Sequence, residues 1–120
     1  MPEERQDLKD RTRDFALRAI RLFSALPKGD AVAQVLGRQV LRSATSIGAN
    51  FREAARGRST AEFIAKIGDC LKEIDETQYW FELLVGSGRV TEKRMSALAD
   101  EARQLNAILT AISKKLRPLK

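Results

Sequence analysis

The chemistry open to this chain is narrow, and the residues able to carry any are concentrated in one stretch. There is no histidine and a single cysteine, Cys70. A nucleophile–histidine pair is thereby excluded, as is a disulfide within the chain. The soft ligands of a zinc or iron–sulfur site are missing too, so no metal and no cofactor is expected. A Glu-x-x-His di-iron site, which some helical bundles carry, cannot be built. Glu53 with Glu73 or Glu76 is the one carboxylate pairing left for acid–base work. With no phosphate-binding loop beside it, the expectation is a protein that is not an enzyme. What remains is "RSATSIGANFREAARGRS" at 42–59, with four arginines and Arg38 just upstream. Clustered arginines of one sign bind polyanions, chiefly through phosphate.

How these side chains are displayed depends on the elements beneath them. No stretch alternates as a strand does. Turn signals fall at "PKGD" (27–30), "RGRS" (56–59) and "GSGR" (86–89). They cut the chain into segments that read as helices over about 7–26, 30–56, 59–86 and 91–117. Leu8, Thr12, Phe15, Ala19, Leu22, Phe23 and Leu26 share a face of the first. Phe63, Ile67, Cys70, Ile74, Phe81 and Val85 do so in the third, and Met95, Leu98, Ala102, Leu105, Leu109, Ile112 and Leu116 in the fourth. Asp30, Ser59 with Glu62, and Thr91 are N-cap signals, and Gly57 reads as the residue just past a helix end. Short connections between long helices make neighbours antiparallel. The fold class expected is all-α, one domain over 1–120, an up-down-up-down four-helix bundle.

The stretch at 42–59 is rich in turn residues, yet its apolar residues are helical in spacing. Leu36, Val40, Ile47, Phe51 and Ala54 make a core face, so burial overrides local propensity. The polar residues then fall into strips. Ser43, Ser46, Asn50 and Glu53 line one flank, where a helix or subunit contact is expected. Arg38, Arg42, Arg52 and Arg56 lie within an arc of about 80°, nearly opposite the core, with Arg58 in the turn. The strip reads equally as a nucleic-acid surface or as a solvated face. Gly37 and Gly48 share the remaining flank, which suggests close approach of another backbone. On the third helix Tyr79, Trp80 and Leu83 point away from the apolar face, and such a cluster marks a contact between copies.

Formal net charge is +6, an excess compatible with RNA or DNA as partner. No apolar run reaches a membrane-spanning length and the first residues are charged, so a cytoplasmic protein without membrane contact is expected.

The same residues carry a resemblance. Arg42, Ser43, Ser46, Ile47, Asn50 and Glu53, then Ser59, Glu62 and Phe63, resemble the signature of a bacterial four-helix bundle family. That family is related to proteins encoded in intervening sequences of 23S rRNA genes. Its pattern is close to R-S-x-x-S-I-x-x-N-I-x-E-G, then a basic turn and S-x-x-E-F. "KEIDETQYWFELL" (72–84) is similar to the end of the third helix in one branch. Phe51 and Ala54 stand where Ile and Gly are usual. The resemblance spans nearly the whole chain and implies a ring of five subunits without enzymatic activity. A more distant analogy is to the accessory variability determinant of diversity-generating retroelements, a basic pentamer that binds nucleic acid and a reverse transcriptase. Two functions therefore compete. One is a nucleic-acid-binding accessory protein using Arg38, Arg42, Arg52, Arg56 and Arg58. The other is an oligomeric scaffold for a protein such as a reverse transcriptase, its arginines paired with the acids Glu62, Asp69, Glu73 and Glu76.

Overall fold

The computed structural model describes residues 2–116, and over that range the chain is four helices: α1 (Pro2–Ser24), α2 (Ala31–Ala55), α3 (Thr60–Gly86) and α4 (Glu92–Leu116). No strand occurs among the described residues; the expected helical position 117 and the expected domain's positions 1 and 118–120 lie outside them. Helix α1 starts five residues before the expected position 7. Pro at the first helical position lacks only an N–H that would be orphaned anyway, and Glu3 and Glu4 in the first turn complement the helix dipole. The added turn brings the Arg5 guanidinium to 4.7 Å from the centre of the Phe63 ring, at the start of α3.

The other three helices begin on side-chain caps. Asp30 accepts from Ala33 N–H (3.1 Å), Ser59 from Glu62 N–H (3.1 Å) and Thr91 from Arg94 N–H (3.1 Å). Glu62 reaches back to the N–H of Arg58 rather than that of Ser59, a capping box displaced by one residue (2.6 Å). The Gly57 expectation needs correction. Gly57 is not left-handed; the one positive φ among the described residues is at Gly88 (79°). What Gly57 supplies is room, since a Cβ there would stand 3.0 Å from the Ala54 carbonyl oxygen. Gly88 closes α3, with the N–H of Arg89 returning to the Leu84 carbonyl (2.9 Å).

Paired residues run in opposite directions along neighbouring helices. Asp30 meets Arg89, Ser43 meets Thr77 and Glu53 meets Lys66, which makes α2 and α3 antiparallel. Helix α2 packs most extensively on α3 and then on α1; α3 packs on α4, and α1 touches α4 least. Helices α1 and α3, and α2 and α4, are diagonals. The thin α1–α4 seam is clamped by a forked pair, Arg11 to Glu101 (2.8 and 3.1 Å), with Gln104 beside it (3.1 Å). The interior holds Phe15, Ile47, Phe51, Ile67, Ile74, Leu84, Leu105 and Leu109, all fully buried. Leu36, Phe23, Val85 and Ile112 sit half-buried at the rim, and Leu116 is exposed. Thr77, Leu84 and Val90 are buried although the face reading omitted them.

The two glycines of α2 differ. A Cβ on Gly48 would lie 3.2 Å from Thr12 Oγ1 and 3.6 Å from its carbonyl carbon, so here the α1 backbone does come close. At Gly37 the space is filled by side chains instead, Phe23 Cδ1 at 2.6 Å and Leu26 Cδ1 at 2.7 Å. Gly37→Ala would gain about 1 kcal/mol of helix propensity but overpack by about 1–3 kcal/mol, and a net loss is expected. Gly68, mid-α3, has nothing within 4 Å of its added Cβ, so Gly68→Ala should gain up to about 1 kcal/mol. Urea unfolding midpoints check the pair: they should move in opposite directions.

Candidate nucleic-acid interface

Helix α2 packs on α1 with one flank and on α3 with the other, which leaves a single outward arc. Its residues recur every three or four positions: Arg38, Arg42, Thr45, Ala49, Arg52 and Arg56, every one exposed. The strip extends about 27 Å along the helix, holds no acid, and has small side chains at its centre. Arg58, exposed in the turn after α2, extends it. Among the described residues no carboxylate lies within 4.0 Å of the guanidinium nitrogens of Arg38, Arg52, Arg56 or Arg58.

Arg42 departs from the expected outward group. It leans over the α2–α3 seam, 2.9 Å from Glu76 and 3.5 Å from Glu73, and its Nε donates to Gln39 (3.2 Å). Four arginines are thus left for an outside anion. The topology adds charge that strip reading did not find. Because α4 runs antiparallel to α3, exposed Lys114 and Lys115 finish at the same end of the bundle as Arg52, Arg56 and Arg58. The signal was present as basic residues in the last turn of the fourth helix, but only topology says where that turn lies.

The polar flank divides. Ser43 is fully buried and meets Thr77 across the seam (2.7 Å), while the two hydroxyls also touch the carbonyls of Gln39 (2.9 Å) and Glu73 (2.8 Å). Two protons serve three contacts, so one contact at a time goes without. Ser46 donates to the Arg42 carbonyl of its own helix (2.6 Å). Glu53 is exposed and joined to Lys66 (3.0 Å), which lifts the Lys66 ammonium above its ordinary value. Asn50 lines an acidic cleft of about 520 Å³ with Asp69, Lys72, Glu73, Asp75 and Glu76.

The aromatic cluster also needs correction. Tyr79 is 53% exposed, but Trp80 and Leu83 are half-buried, and Trp80 packs against the core. Trp80 Nε1 is buried with no acceptor among the described residues, at a cost of about 1–3 kcal/mol. Cys70 lies fully buried, and burial together with neighbouring Asp69 pushes its thiol up to about 12, so it is unreactive.

Two comparisons place the chain among known proteins. The sequence profile of the family described as "23S rRNA-intervening sequence protein" matches residues 4–111. A solved structure from Bacteroides thetaiotaomicron, a protein with unknown function from the S23 ribosomal protein family, is 37% identical with a TM-score of 0.85. The match covers 92% of this chain and 97% of that one. No curated protein matches.

The carboxylates around Arg42 give a prediction. Burial, then the hydrogen bond with Glu76, pushes the Glu73 carboxyl above its ordinary value, while Arg42 pulls it down; Glu76, held by Arg42 and then by Glu73, lies below. A raised carboxyl opposes folding while charged, and that opposition fades as pH falls through its folded value. A lowered one stabilises above its unfolded value, and that support is lost as pH falls through its folded value. Side-chain carboxyl NMR should therefore show Glu73 taking up its proton at higher pH than Glu76. In Arg42→Ala both midpoints should rise, and an unmoved Glu76 would contradict the geometry.

Proposed function

The chain belongs to the 23S rRNA-intervening sequence protein family, and on that premise we propose that it is a non-enzymatic, self-associating bundle that binds nucleic acid, RNA above all, through α2. The observation that carries this reading is the acid-free outward strip, with Arg38, Arg52, Arg56 and Arg58 left without carboxylate partners among the described residues. A surface that is merely solvated ordinarily mixes its signs. Arginine forks match phosphate geometry, and phosphate contacts give affinity with little sequence preference. The net charge of +6 supports it. A homo-oligomer, of five copies on the family resemblance, multiplies the strip and so raises affinity by avidity.

A second reading has its own observation. Arg42 already closes on Glu73 and Glu76, and the cleft beside them collects Asp69 and Asp75. Arginines of a neighbouring copy, or of a protein such as a reverse transcriptase, would find acids there, and the bundle would act as a scaffold.

Salt dependence and one double variant separate the two. Affinity for a labelled RNA should fall steeply with salt, since each neutralised phosphate releases counterions. Arg52→Glu with Arg56→Glu should abolish that binding, while circular dichroism and the particle mass from light scattering stay unchanged. Loss of the oligomer in that variant would favour the scaffold. Unchanged RNA binding would make the strip a solvated face and end the nucleic-acid reading.

A further inference from the structure

Helix α3 separates two surfaces of opposite shape. On its α4 side a groove of about 760 Å³ is floored by Phe81, Val85, Met95 and Ala99, with Glu82 and Glu92 on its rim. Arg103 at the groove's other end is already engaged by Asp100 (3.4 Å). On the α2 side an apolar ridge rises from the seam. Val32 and Val35 are 45% and 56% exposed, unusually open for large apolar side chains on a helix whose other valine is buried. Val35 lies two turns before Arg42 on α2, and Leu83 two turns after Glu76 on antiparallel α3. Arg42 touches Glu76, so Val35 and Leu83 face the same seam. Tyr79, 53% exposed, extends the ridge. Exposed Lys28 stands four residues before Val32, at the ridge's end.

We propose that the ridge of one copy (Val32, Val35, Leu83) docks into the α3–α4 groove of the next, with Lys28 against Glu82 and Glu92. The inference rests on the reading that the chain self-associates and adds which surfaces meet. Sign decides against a two-fold contact. Ridge on ridge would bring Lys28 toward its own copy, and groove on groove would oppose Glu82 and Glu92; only ridge in groove joins unlike charges. Such a contact is heterologous. Every copy has both surfaces, on opposite sides of α3, so addition continues until the ring closes. It also covers the apolar area that Val32, Val35 and Tyr79 leave in water.

The test uses Val35→Cys and Ser96→Cys in one chain, treated with a bismaleimide; buried, protonated Cys70 does not compete. Ser96 is exposed in the groove lining. A cross-linked ladder extending beyond dimer, up to the particle mass found by light scattering, is expected. Mixing chains that carry one cysteine each should give linked pairs only. As a readout independent of linker geometry, Lys28→Glu or Glu92→Lys alone should weaken association several-fold, and the two together should restore it. A particle larger than a monomer with neither ladder nor rescue would overturn the ridge-in-groove contact and leave self-association standing. A monomeric parent protein would overturn both.

Discussion

Much of this molecule follows from how α2 divides its circumference. It packs extensively on two neighbours, α1 and α3. A helix of ordinary diameter that packs on both sides and also faces a core has one arc left for water. Each remaining arc then admits a limited chemistry. Toward α1 the helices come close enough for Gly48 to stand against the Thr12 backbone. Toward α3 a small hydroxyl, Ser43, fits and finds Thr77. The core arc takes Val40, Ile47 and Phe51. Long cations fit only on the outward arc, where they stay hydrated.

The charges follow the same division. Helix α2 contributes arginines to the outward arc, and α3 contributes acids to the neighbouring side of the seam. Where the two meet, at Arg42, Glu73 and Glu76, the charges satisfy one another within the chain. Away from the meeting point they are exposed to whatever approaches. Toward the end where α2 finishes, Arg52, Arg56 and Arg58 are exposed, with Lys114 and Lys115 at the same end of the bundle. Glu53 on that stretch is taken by Lys66, which prevents it from offsetting the arginines. Toward the other end the seam turns apolar at Val35 and Leu83. One long seam thus changes from basic to apolar along its length, and the two ends suit different partners.

Helix α3, like α2, has neighbours on two sides, α2 and α4. It buries Phe63, Ile67, Cys70, Ile74, Thr77, Phe81 and Leu84, and it still carries Tyr79, Trp80 and Leu83 elsewhere. Trp80 is drawn against the core by its ring area, and its indole N–H is left without an acceptor. Burial of a large aromatic surface outweighs one lost hydrogen bond, since the ring buries on the order of 150–250 Å² at about 25 cal/mol per Å².

The sequence by itself determined the number of helices, their turns and their N-terminal caps. These rest on contacts within a few residues: Asp30, Ser59 and Thr91 each cap an N–H three positions on, and the period of the apolar residues fixes which face of a helix is buried. It also marked 42–56 as helical against its own propensity. The family signature was legible there for the same reason, being packed into one helix and the turn after it. Relations between helices were decided only in the tertiary structure. That Arg42 is engaged while Arg38 is free depends on which residues of α3 lie level with each. That Trp80 turns inward, that Gly37 sits under Phe23, and that Val32 and Val35 stay in water depends on the rotation and spacing of neighbouring helices. The 3.6-residue period fixes angles around one axis. The distance to the next axis, and the level at which two helices meet, come from packing the whole set of side chains at once.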